Sequence, residues 1–262
     1  MQHQLQYKNS GARLPGEFIT VCIIVFIAAV SATVYFMGSM GYEMIMPGGW
    51  KMSMMFMRMP GQTWLLSALS FLLMWLAMMV AMMMPSVLPM FLKTRRPWRS
   101  LCYLASGYFT IWLIAGLVIY ILAVAFNNAA MRSEFLSRAV FLLSGALLVT
   151  TGIIQFTPWK MTHLLHCRST SGCAVSCSQN VRSFRLGCKQ GLTCCACCSA
   201  LMISQLIIGI MNPFAMIIIA IVIAAEKLLP QPKLTTRFAG IIAIVAGIIM
   251  IIHWATSPLL AM

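Results

Sequence analysis

Residues 192 to 229 read LTCCACCSALMISQLIIGIMNPFAMIIIAIVIAAEKLL, an apolar tract interrupted by one turn signal, Asn212-Pro213. As one helix it would run about 57 Å at 1.5 Å per residue, against a bilayer core of about 30 Å. Asn-Pro favours a turn, so the tract divides into two short spans, Leu192–Ile210 and Pro213–Leu229. Five other apolar runs are long enough to cross: Phe18–Met37, Trp64–Met90, Leu101–Phe126, Phe135–Phe156 and Arg237–Trp254. The expectation is an all-α polytopic membrane protein of about seven transmembrane helices.

Charge supports the division. With seven spans and a cytoplasmic N-terminus, 14 of the 18 Lys and Arg lie on the inner side; with six spans the count falls to 11. The positive-inside rule favours seven. The chain then reads as a cytoplasmic tail (1–17), a first helix (18–37), a Met-rich outer loop (38–63), helices two to four (64–156), a Cys/His-rich cytoplasmic loop (157–191), helices five to seven (192–254) and an outer tail (255–262). Val30-Ser31-Ala32 weakly resembles a cleavage site, but the apolar run around it is long for a signal peptide, so it reads as an uncleaved anchor.

Composition agrees. The 262 residues are 61% hydrophobic and 8% charged, with four carboxylates and a net charge of +14. A soluble domain carries about 25% charged residues. The basic residues flank apolar runs, where they orient the chain and meet anionic lipid heads. No nucleic acid partner is expected, since no basic patch carries a reading motif. So few carboxylates argue against acid–base catalysis, and the expectation is that the chain is not an enzyme. Glu226 and Lys227 read as the interfacial end of the sixth span, with the Lys stem on apolar surface and its ammonium in water.

Sulfur is placed in blocks. Eight of the ten Cys lie between Cys167 and Cys198, and eight of the 24 Met between Met40 and Met59. Cytoplasmic thiols stay reduced, so metal or redox chemistry is the better reading of the Cys block. Cys194 and Cys197 are three apart, Cys194 and Cys198 four apart, and a helical turn would aim them at one point. His163 and Cys167 are also four apart. Soft thiolates select Cu(I), Zn(II) or iron–sulfur clusters. The candidate ligands are Cys194, Cys197, Cys198, Cys167, His163 and Cys195, with Met82 and Met83 on the second span; Cu(I) is favoured and Zn(II) is the alternative. Cys22 and Cys102 read as packing residues. The outer Met loop suits Cu(I) capture by thioethers or, equally, an apolar cap. Met74, Met78 and Met82 form a helical stripe that reads as packing before it reads as a ligand ladder. Pro85 and Pro89 break the second span, and a functional cavity is expected near Met82–Met90.

Two patterns suggest an internal repeat. Gly145 and Gly152 are seven apart on the fourth span, and Gly240 and Gly247 seven apart on the last. Pro85 to Met90 also rhymes with Cys197 to Met202. Spans two to four and five to seven would then be inverted three-helix copies, a recurring transporter design, although glycine-rich apolar helices also match by chance.

The run Trp75-Leu-Ala-Met78-Met79-Val-Ala-Met82-Met83-Met84-Pro85-Ser86-Val-Leu-Pro89 resembles a bacterial family of uncharacterised, predicted metal-binding integral membrane proteins. Thr157-Pro158-Trp-Lys160 leading to Cys167-Arg168, Gly191-Leu-Thr-Cys194 leading to Cys197-Cys198, Met211-Asn212 and Glu226-Lys227 agree with it. In that family a Cys commonly stands four positions before the Cys-Arg pair; here His163 stands there. More distantly, Met84-Pro85-Ser86-Val-Leu-Pro89 is similar to the Pro-Cys-Val-Leu-Pro motif of membrane thiol–disulfide electron transporters, with Ser86 in the Cys place, and a hydroxyl cannot exchange disulfides. The resemblance implies metal binding without naming the metal or the activity; with the sulfur blocks, the leading expectation is a protein of the bacterial inner membrane that binds, and transports or delivers, a soft metal ion. Its partners would be membrane lipid, the ion, and a metallochaperone or metalloprotein. The alternatives are a thiol–disulfide electron relay and a metalloenzyme assembly factor.

Overall fold

The computed structural model describes residues 16–40, 43–45, 51–53, 63–93, 98–169, 180–210 and 212–256. Eight helices account for nearly all of them: α1 (Gly16–Met40), α2 (Trp64–Lys93), α3 (Trp98–Arg132), α4 (Glu134–Phe156), α5 (Pro158–Ser169), α6 (Asn180–Ile208), α7 (Pro213–Leu228) and α8 (Pro232–Thr256). In hydrocarbon a helix satisfies its own backbone groups, which is why apolar runs of this length fold this way. Between α1 and α2, β1 (Glu43–Ile45) and β2 (Lys51–Ser53) form a small antiparallel ribbon in which Met44 pairs with Met52. Most of the remaining Met-rich loop, including Met46, Met54, Met55, Met57 and Met59, lies outside the described residues.

Six helices are long and apolar enough to cross a membrane: α1, α2, α3, α4, α6 and α8. Their outward faces carry large apolar side chains such as Ile24, Leu65, Leu122, Ile242 and Ile249, each more than half exposed. Such a surface is stable against lipid. The expected sixth span exists as α7, but its 16 residues cover only about 24 Å. α7 still carries the chain back along α6, since it begins just beyond Ile208 and brings Lys227 against Cys194 near its end.

The Asn212-Pro213 signal acts as expected. Gly209 closes α6 with a φ of 126°, a left-handed conformation that glycine adopts at little cost. Asn212 caps α7, its Oδ1 accepting from the amides of Phe214 and Ala215 at 3.1 and 3.2 Å, and Pro213 opens the helix where no amide is needed.

Two helix pairs set the frame. α4 and α8 run antiparallel and touch through the repeated glycines. A methyl on Gly247 would lie 2.7 Å from the Gly145 carbonyl oxygen, and one on Gly240 3.0 Å from that of Gly152. The shared spacing of seven therefore has a packing cause: two small-residue stripes that let backbones meet. α3 and α6 run parallel, with Gly107, Gly187 and Gly191 set against the facing backbone.

α2 fills the middle. Phe71, Met74, Trp75, Met78, Met79, Met82 and Met83 are all at most 2% exposed, so the Met stripe is core. Trp75 donates through Nε1 to the Trp112 carbonyl at 2.9 Å. Pro85 and Pro89 do not interrupt α2 as expected from their chemistry; the helix runs through both to Lys93. A cavity of about 210 Å³ opens beside them, lined in part by Ser86, Val87 and Pro89.

Candidate metal centre

In the segment expected to be a loop, 157–191, the described residues are almost all helical, forming α5 and the first turns of α6; Cys173 and Cys177 lie outside the described residues. Thr157 and Pro158 start α5. Its inward face carries Lys160, Leu164 and Cys167, spaced as one helical stripe; the first two are at most 1% exposed and Cys167 is half-buried. This geometry drives Cys167 against α6, where Cys194, Cys197 and Cys198 are at most 1% exposed.

The sulfur atoms of Cys167, Cys194 and Cys197 all lie within 4.8 Å of one another. Cys198 Sγ is 3.5 Å from Cys197 Sγ and 4.0 Å from Cys194 Sγ. A soft ion bound trigonally at about 2.3 Å from each sulfur would need sulfurs about 4 Å apart, so only small adjustments separate this cluster from a ligand set. These four cysteines are free thiols.

The remaining expected ligands fall differently. His163 sits on the flank of the inward face of α5. Its ring packs on Trp159 with centroids 4.4 Å apart, and its Nδ1 hydrogen-bonds the Trp159 carbonyl at 2.9 Å. It is not part of the converging group. Cys195, half-buried, is turned away by one helical step, and Met82 belongs to the packed core. Met83 does reach the site, through a lysine.

That lysine is Lys227, which sequence reasoning put at the water boundary. It is instead buried, with Nζ 2.9 Å from Cys194 Sγ and 3.7 Å from Met83 Sδ. Glu226 is equally internal. Its carboxylate pairs with Lys160 at 2.9 Å, and each side chain is 1% exposed. Lys160 also donates to Gln155 Oε1, and Arg168 donates to the Glu226 carbonyl at 2.9 Å. The physical reason is that α7 ends inside the bundle, against α5 and α6, so its last turn has protein around it instead of headgroups. One signal was available: adjacent charges with apolar residues on both sides, at the end of a helix too short to cross, read by default as an internal functional pair.

Two more residues complete the site. Tyr108, 1% exposed on α3, donates its hydroxyl to Cys194 Sγ at 3.0 Å. Gln190 donates through Nε2 to the Cys167 carbonyl at 3.2 Å, and its Oε1 is buried without a hydrogen-bond partner among the described residues. Cys194 thus receives two strong donors, one cationic, which is how a buried thiolate is solvated when water is excluded. Cys167 has its thiol pushed up to about 11, chiefly by its hydrogen bond with Cys194, with burial adding to the effect. An ion binding there must expel that proton.

A family model described as PpoB2, copper chaperone, matches residues 72–250, well over half of the chain. The chain belongs to the PpoB2 copper chaperone family. The matched stretch contains every residue of the sulfur cluster together with Met83, Tyr108, Gln190 and Lys227. Membership supports the metal-related part of the expected resemblance; it lends nothing to the likeness with thiol–disulfide transporters. No curated protein and no solved structure matches the chain. The three convergent side chains are all thiols, a donor set that suits a soft metal ion such as Cu(I), and Zn(II) as well.

Proposed function

We propose that this protein is a multi-pass membrane copper chaperone that takes Cu(I) as cargo at Cys167, Cys194 and Cys197 and delivers or carries it to a partner metalloprotein. One observation carries the reading: three cysteine sulfurs from two helices converge within 4.8 Å inside the bundle. Chance packing leaves lone cysteines dispersed. Cys198 is the reserve ligand for exchange, adjacent to both α6 thiols. The protein resides in the bacterial cytoplasmic membrane with its N-terminus inside, so the cluster opens toward the reducing compartment. It is not an enzyme: the site binds and releases an ion without changing it. No Gly-x4-Gly-Lys phosphate loop is present in the sequence, so gradients or ligand exchange with partners supply the drive.

Elemental analysis of the purified protein tests this. Wild type should retain copper, and a Cys167/Cys194/Cys197→Ser variant should fall to background. Equal copper in both would remove the site.

A thiol–disulfide relay is the second reading, favoured by the 3.5 Å separation of the Cys197 and Cys198 sulfurs. It differs in a direct observable: a relay yields trapped mixed disulfides with a partner, and a chaperone yields bound copper.

A further inference from the structure

The cavity that opens on Cys167 and Cys194 is lined, among the described residues, by two cations, Arg168 and Lys227, and by no carboxylate. Arg168 donates to the Glu226 carbonyl. Lys227 touches the sulfur cluster itself: its Nζ lies 2.9 Å from Cys194 Sγ and 3.7 Å from Met83 Sδ. The carboxylate next to it in the chain, Glu226, pairs with Lys160. A lysine ammonium is compact and strongly hydrated. Taken out of water, it needs negative charge at contact distance. Here the thiol cluster is placed to supply that charge, so Lys227 feels electrostatically whatever the thiols bind.

We infer that Lys227 determines the ion specificity of the metal site: its ammonium favours monovalent Cu(I) over divalent Zn(II) at the same three thiolates. The inference rests on the copper reading above. Thiolate donors by themselves accept both ions. Three thiolates around Cu(I) form a group with two net negative charges, and around Zn(II) a group with one. Both groups attract the ammonium. The copper group attracts it about twice as strongly at a given distance, because Coulomb energy scales with charge. Solvent does little to screen the difference, since Cys194 and Cys197 are at most 1% exposed. The protonation of the empty site drops out, because both ions start from it and expel the same protons. Neither ion changes oxidation state on binding. Zn(II) prefers a fourth ligand, and Cys198, with its sulfur 3.5 Å from that of Cys197, is placed to offer one. A fourth thiolate would make the zinc group as negative as the copper group. Selection by charge therefore belongs to the three-thiol set, and the test must hold that set fixed.

The test uses full-length Cys198→Ser protein in detergent as the parent, so that both ions meet the same three thiols. Affinity for Cu(I) and for Zn(II) is measured by competition with a water-soluble chelator of each ion, in the absence of oxygen. Adding Lys227→Leu, which removes the charge without supplying a new ligand, should weaken Cu(I) more than Zn(II). The ratio of the two affinities should fall at least about tenfold, the scale of one buried unit charge. Lys227→Arg, which keeps the charge, should keep the ratio near that of the parent. If Lys227→Leu does not fold, Lys227→Gln decides. An equal loss of both ions would mean that Lys227 only holds the site in shape, and it would overturn the inference. An unchanged ratio, or one shifted toward Cu(I), would overturn it too; in each case the chaperone reading stands. A parent that binds no Cu(I) would remove the three-thiol copper site and the inference with it.

Discussion

The α4–α8 seam and the α5–α6–α7 sulfur pocket lie side by side and are built on opposite principles. The seam is held by close backbone approach at Gly145, Gly152, Gly240 and Gly247. The pocket gathers a buried ion pair, a buried ammonium and three thiols. Buried charge seldom stabilises a fold relative to apolar packing. The bundle therefore has a part that holds it together and a part that it tolerates because of what the part does, and substitutions should separate the two.

The largest separation is expected from the thiols. Serine at Cys167, Cys194 and Cys197 should lower bound copper at least tenfold while thermal unfolding in detergent shifts little. A matching collapse of folded yield would mean the cysteines are core. Next is the ion pair. Glu226→Gln leaves Lys160 without its carboxylate and should destabilise by about 3–5 kcal/mol, the usual cost of breaking a buried pair. The double variant Lys160→Met/Glu226→Leu should recover most of that loss, measured by unfolding. On the seam, Gly247→Leu drives a side chain into the Gly145 carbonyl. It should cost about 1–3 kcal/mol, the range for overpacking, with copper per folded molecule unchanged.

Smaller is the effect of pH. The Cys167 thiol, pushed up to about 11, is protonated near neutrality. Each proton expelled on loading lowers affinity about tenfold per unit fall in pH, so titration of Cu(I) affinity between about pH 6 and pH 8 should show at least that slope. Smallest of all is His163→Ala. Because the ring bonds Trp159 and stands outside the converging group, copper affinity should change less than about twofold, well under the 1.4 kcal/mol that marks a tenfold effect.

Much of the frame was legible in the sequence. The apolar runs gave the long helices, and Asn212-Pro213 marked the turn before α7, because capping and proline chemistry are local. The thiols of Cys194 and Cys197 were legible for the same reason, since a helix dictates their spacing. Cys167 was legible as a candidate through its helical spacing from His163, though the residue that spacing pointed to is not the one that converges with it. Lys227 was misread because charge counting treats every lysine as a boundary marker. The adjacent charges at the end of a short apolar helix were the one local signal, and they do not say which helices enclose them. Tyr108 and Gln190 carry no motif at all; Tyr108 matters through α3 lying against α6 along their glycines, and Gln190 through α5 lying against α6. The glycine spacing itself suggested duplication, and its direct meaning is contact between the two helices that share it.

The account stands on three sulfurs from two helices holding the ion together. Copper X-ray absorption on the loaded protein tests it most directly. The account predicts a Cu(I) edge with a shell of sulfur only, and the loss of one sulfur scatterer in Cys167→Ser. A shell containing nitrogen, or one that is the same in wild type and Cys167→Ser, would contradict it.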